Sequence, residues 1–157
     1  MPNPDSRAKK INISLNNEII HSEDFALPIT TSYPPTITNR SSPYGFSYNS
    51  STGFYASTNN NVNSSYAVCR ATFNLPVATT ITISYINYAE ANCDYGIISN
   101  VDSALSLNNT ADSTYLLKCT TSSNTTKTLN VTIPAGSHFI DFKYRKDGSV
   151  HTGNDNF

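Results

Sequence analysis

From Tyr44 onward, apolar and polar residues alternate almost one for one, and this period of two limits the fold more than any other feature of the chain. A strand turns successive side chains to opposite faces, whereas a helix repeats every three to four residues. Ala67, Cys69, Ala71, Phe73 and Leu75 therefore share one face and Tyr66, Val68, Arg70 and Thr72 the other, until Pro76 ends the run. Ile81, Ile83 and Tyr85 oppose Thr80, Thr82 and Ser84, and Leu129, Val131 and Ile133 align further on. In the last clear run, Ile140, Phe142 and Tyr144 point one way, while Asp141, Lys143 and Arg145 point the other, toward water. The stretches YGFSYN, GFYAS, DYGIISNVD, SALSL and TYLLKC continue the strand pattern between turn-forming residues.

One-sided alternation belongs to antiparallel sheets with one face in a core and one in solvent. Strands at intervals of roughly ten residues, punctuated by turns, predict an all-β chain: an antiparallel two-sheet β-sandwich of jelly-roll type. No segment carries an amphipathic helical pattern. Residues 1–43 differ in character. Ile11, Ile13 and Leu15 suit one short strand, and Pro28, Pro34, Pro35 and Pro43 then interrupt the chain too often for a helix. The expected organisation is an extended N-terminal arm and Pro-rich connector over 1–43, followed by a sandwich over 44–157.

Composition removes several function classes. With 157 residues the chain fits one domain, and 10 Tyr and 7 Phe at 13% charged residues separate it from disordered chains, which are charge-rich and aromatic-poor. A net charge of −1 supplies no electrostatic footprint for nucleic acid. Arg7, Lys9 and Lys10 form the one small basic cluster, read as a solvated arm. No apolar run is long enough to span a bilayer, and the first residues lack the apolar middle of a secretory leader. Cys69, Cys93 and Cys119 lie too far apart for a CxxC motif. Cys69 falls on the core face of its strand, and a Cys93–Cys119 bridge stays open for an oxidising compartment.

Two passages, FNLPVATTITISYINYAEANCDYGIIS and IPAGSHFIDFKYRKDGSVHTGND, together resemble jelly-roll modules of the cleaved-adhesin and MAM-like kind, found in bacterial surface proteins and phage structural proteins. The resemblance is carried by Glu90, Asp94 and Tyr95 at one strand end, by the Ala135-Gly136-Ser137-His138 turn, by Tyr144-Arg145-Lys146-Asp147, and by Gly153-Asn154-Asp155. It implies a non-catalytic jelly roll used for adhesion, carbohydrate contact or assembly. In that pattern one more strand follows Asp155, where only Asn156 and Phe157 remain here. A short tail beyond Phe157, or strand addition from a partner, are the two readings of that departure.

Glu90, Asp94 and Asp155 are the candidate metal ligands, with Asp102 and Asp147 in nearby turns. Calcium takes six to eight oxygen donors, which loops at a sandwich end could supply, and the resemblance implies a structural calcium ion there. The competing and favoured reading has these carboxylates capping turns through backbone N–H groups. Tyr33, Tyr44, Tyr48 and Tyr55 are the candidate surface aromatics for binding, because Tyr joins apolar area to a polar tip; the alternative places about half the tyrosines in the core. His21, His138 and His151 are accompanied by no nucleophile elbow, HExxH, P-loop or GxGxxG, so no catalytic residue is assigned. A paired-carboxylate glycosidase would need no sequence motif, but the chain has no Trp to stack a sugar.

The expected function is that of a non-catalytic structural or attachment protein of a phage virion: a capsid decoration, head-fibre or tail component at the virion surface. Its partners would be other subunits, in a homo-oligomer or with capsid and tail proteins, and a host-surface glycan, with no cofactor required. The alternative is a carbohydrate-binding or adhesin module of an extracellular or cell-surface protein.

Overall fold

The computed structural model describes residues 14–15, 18–19, 33–148 and 157. Among the described residues there are strands and no helix, as the period-two pattern predicts. The strands form several antiparallel sheets, an architecture consistent with a β-sandwich. Most of the expected N-terminal arm lies outside the described residues. Within it, β1 (Ser14–Leu15) pairs antiparallel with β2 (Glu18–Ile19), and β3 (Thr36–Asn39) is a strand in the segment expected to be connector.

The chain divides into two compact units, one of residues 1–35, 73–83 and 128–138 and the other of residues 36–72, 84–127 and 139–157. In the first unit, Phe73 and Leu75 end β6 (Tyr66–Leu75), Ile81 and Ile83 lie on β7 (Thr79–Asn87), and Val131 and Ile133 close β10 (Ser123–Ile133). All six side chains are buried. Burial of such side chains contributes about 1.5–3 kcal/mol each. β7 and β10 pair, and their outer faces carry Thr80–Thr132 and Thr82–Asn130 side-chain hydrogen bonds of 2.9 and 2.8 Å. The Pro134-Ala135-Gly136 turn then reverses the chain, with Gly136 at φ 109° and the His138 ring nitrogen 3.1 Å from the Ala135 carbonyl. The His138 ring thus folds back onto this turn from the strand that follows it.

The second unit is built on a five-stranded sheet of order β3-β6-β11-β8-β9, where β8 is Tyr95–Ile98, β9 is Leu117–Cys119 and β11 is Gly136–Arg145. Beside it, β4 (Phe46–Asn49) and β5 (Phe54–Ser57) form a hairpin with Tyr48 opposite Tyr55. Its turn closes through the Gly53 N–H on the Asn49 carbonyl at 2.8 Å, with Gly53 at φ 75°. The Asn39 side chain grips the main chain at Phe46 like an extra ladder rung, accepting from its N–H at 2.7 Å and donating to its carbonyl at 3.1 Å. Phe157 lies along β5, accepting from the Ser57 N–H at 3.0 Å and donating to the Ser57 hydroxyl at 3.1 Å.

The alternation of β11 correctly places Ile140 and Tyr144 in the core, with Phe142 half-buried. It fails for the opposite face. Asp141 and Lys143 have no exposed surface and Arg145 is half-buried, although all three were expected in water. The cause is the connection over 100–116, expected to hold a strand at SALSL, which instead forms a cover over this face. Its Asp102 N–H donates to the Phe139 carbonyl at 2.9 Å, its Leu105 N–H donates to Asp141 at 2.9 Å, and its Leu116 N–H donates to the Ile98 carbonyl at 2.9 Å. Val68, expected outside on β6, is sealed as well.

Candidate functional site

Charges enter this covered face only in company, because an unpaired buried charge costs several kcal/mol. Asp141 accepts a two-point grip from Arg70, at 2.8 Å from Nε and 3.2 Å from Nη2, and is also bonded by Arg40 Nη1. The Arg70 guanidinium in turn lies 3.5 Å from the Phe139 ring centre. Lys143 donates from Nζ to Asp112 and the Ser106 hydroxyl, each at 2.8 Å, and to the Thr110 carbonyl at 3.0 Å. Burial pushes the Lys143 ammonium below its usual range despite that carboxylate. These groups are structural: each is consumed by its neighbours.

A different cluster forms where β7 hands over to β8. The Cys93 and Asp94 N–H groups both donate to the Glu90 carbonyl at 3.2 Å, making a tight turn with Asn92 at φ 64°. Asn accepts this left-handed conformation more readily than most residues. The Asn92 N–H anchors the turn to the Thr120 carbonyl at 2.8 Å. Just past β11, Asp147 is held against this turn: its N–H donates to Asp94 Oδ1 at 2.7 Å and its carbonyl accepts from the Ser64 N–H at 2.5 Å. One donor atom each from Glu90, Cys93 and Asp147 consequently lie within 4.8 Å of one another. The Glu90 Oε2 oxygen is sealed from solvent and accepts no hydrogen bond. Desolvation, and then the charges of Glu90 and Asp147, push the Cys93 thiol up.

Of the three carboxylates expected to gather, Glu90 and Asp94 do fall in one turn, but Asp94 faces Lys146 Nζ at 3.0 Å and forms a fully buried ion pair with it. Asp155 lies outside the described residues. Cys93 and Asp147 take the places beside Glu90. Cys93 was overlooked as a ligand; the signal that could have found it is the Glu90-Ala91-Asn92-Cys93 spacing, which suits two side chains on one side of a turn. Asp102 acts as a cap, its Oδ1 accepting from the Phe139 N–H at 3.0 Å.

The candidate aromatics separate. Tyr48 and Tyr55 are 58% and 45% exposed and sit across the hairpin from each other, ring centres 5.3 Å apart at 52°. Tyr33 and Tyr44 are half-buried. All three cysteines are free thiols. Burial pushes Cys69 up to about 12 and Cys119 above its ordinary value, so both are held protonated.

No known protein family, curated protein or solved structure matches this chain. Fold and site therefore define it as an all-β protein of antiparallel sheets, with a covered, ion-paired sheet face, an exposed tyrosine pair and a thiol–carboxylate cluster.

Proposed function

We propose that this chain is a non-catalytic structural or attachment protein built as a jelly roll, and that its setting is a virion surface. The observation that carries the reading is the Tyr48–Tyr55 pair, two tilted aromatic rings presented to solvent on a short hairpin. Aromatic side chains of this kind anchor contacts at low entropic cost. The non-catalytic part is supported by the chemistry of the remaining groups: the charged side chains of β11 and Lys146 beyond it are occupied in ion pairs and hydrogen bonds, and burial pushes the thiols up, opposite to the lowering that activates a cysteine nucleophile. The virion setting is supported by the resemblance of the second half to modules of phage structural proteins, and by the neutral Ser, Thr, Asn and Tyr surface.

The exposed pair also favours the carbohydrate-binding reading, in which the two rings stack on a glycan. A light-scattering mass of the native protein, followed by a glycan panel with the Tyr48→Ala/Tyr55→Ala double variant, separates the two. Self-association, or binding to structural partners, that the double variant loses supports the structural reading. Saturable glycan binding by a monomer, lost in the same variant, selects the other. A monomer that binds neither class overturns both. A truncation probing the arm should stop before Tyr33, since β3 and Arg40 belong to the sheet and its ion pairs.

A further inference from the structure

We propose that Glu90, Cys93 and Asp147 form a binding site for a zinc-type divalent cation. Their backbones are fixed independently of any ligand: Glu90 and Cys93 by the tight turn, Asp147 by its bonds to Asp94 and Ser64. Ligands about 2.0–2.3 Å from a tetrahedral zinc ion stand roughly 3.3–3.8 Å from one another. The donor atoms already lie within 4.8 Å of one another, close to that separation before any ion is bound.

A second observation is independent of this spacing. Glu90 Oε2 is sealed from solvent with no hydrogen bond to accept. Leaving a buried acceptor unmet costs about 1–3 kcal/mol, and more for a charged group. The neighbouring cations do not meet this need, since Lys146 Nζ bonds Asp94 and Arg145 Nη1 bonds the Cys93 carbonyl at 2.7 Å. A metal ion among the three donors would satisfy the oxygen.

The donor set decides the class of ion. Calcium and magnesium take oxygen ligands, whereas a thiolate among the donors selects zinc and softer ions. This departs from the calcium ion expected of Glu90, Asp94 and Asp155. Three protein ligands leave the fourth tetrahedral position to water. On binding, the Cys93 S–H bond breaks with both electrons staying on sulfur, and one proton leaves to solvent for each ion taken up.

Cobalt(II), a spectroscopic substitute for zinc, tests the site in the full-length reduced protein. The expected result is a thiolate-to-cobalt charge-transfer absorption that saturates at one ion per chain, is displaced by zinc and not by calcium, persists in Cys119→Ser and disappears in Cys93→Ser. Glu90→Gln should weaken zinc binding at least tenfold with an unchanged circular dichroism spectrum. Absence of the absorption in folded protein, its survival in Cys93→Ser, or displacement by calcium as effective as by zinc would overturn the proposal.

Discussion

Lys146 Nζ donates to Asp94 Oδ2 at 3.0 Å, and neither side chain has exposed surface. The same carboxylate holds the Asp147 N–H through its other oxygen, so this pair fixes the chain at the point where β11 ends. Breaking a buried pair by removing one partner costs about 3–5 kcal/mol. Asp94→Ala should therefore lower stability to urea by that amount. In the Asp94→Ala/Lys146→Met double variant the loss should fall below the sum of the two single losses, because both substitutions break the same pair.

Arg70 meets Asp141 through two nitrogens, and a lysine cannot reproduce a planar two-point contact. Arg70→Lys should cost about 1.5–3 kcal/mol, the range for hydrogen bonds to charged groups. Equilibrium denaturation measures it. A cost indistinguishable from zero would show that Arg40 and the Leu105 N–H satisfy Asp141 without the two-point contact.

Asp112 gives the fold an acid-sensitive element. Burial alone would push its carboxyl up, but the hydrogen bonds from Lys143 Nζ and the Ser106 N–H outweigh burial and hold it below its ordinary 3.8. The folded state thus takes up this proton less readily than the unfolded chain. Its contribution to stability is complete above pH 3.8 and is lost as the pH falls from there through the lower folded value. Urea midpoints across an acid series should show this slope in the native protein and a shallower one in Asp112→Asn.

Cys69 is 3% exposed and pushed up to about 12 by burial first and the Asp141 charge second. Alkylation of native protein near neutral pH should modify Cys93 and Cys119 before Cys69, which should react only after unfolding. Peptide mapping by mass spectrometry reads the order directly.

Gly96 leaves the space that the Phe157 ring fills, since a Cβ at that position would overlap the ring. Gly96→Ala should destabilise by about 1–3 kcal/mol through overpacking. Phe157→Ala should cost packing of its own, yet adding Gly96→Ala to it should cost little further. Thermal melts of the three variants close the cycle.

The all-β class was legible because alternation on β6, β7, β10 and β11 reports a local property, the two faces of a strand. Ala67, Cys69, Phe73, Ile81, Ile83, Val131, Ile133, Ile140 and Tyr144 are buried as the pattern predicts. The hairpin of β4 and β5 was equally local, set by its turn residues and short aromatic runs. The site was legible only in part. Glu90 was singled out, its turn recognised and Asp147 expected in a nearby turn, but that Asp147 rather than Asp94 stands beside Glu90 depends on its bond to Asp94 from more than fifty residues away, which no local pattern encodes.

The sequence by itself determined which side chains share a strand face and where strands end, because both follow from backbone geometry and from Pro and Gly. Only the tertiary structure decided what each face meets. Asp141 and Lys143 read as solvent-facing until the 100–116 connection covers them and supplies Asp112, Ser106 and the Leu105 N–H as partners. Burial depends on distant segments and pairing on distances across the fold, so charges written as a wet strand face become the ion-paired interior beneath a loop.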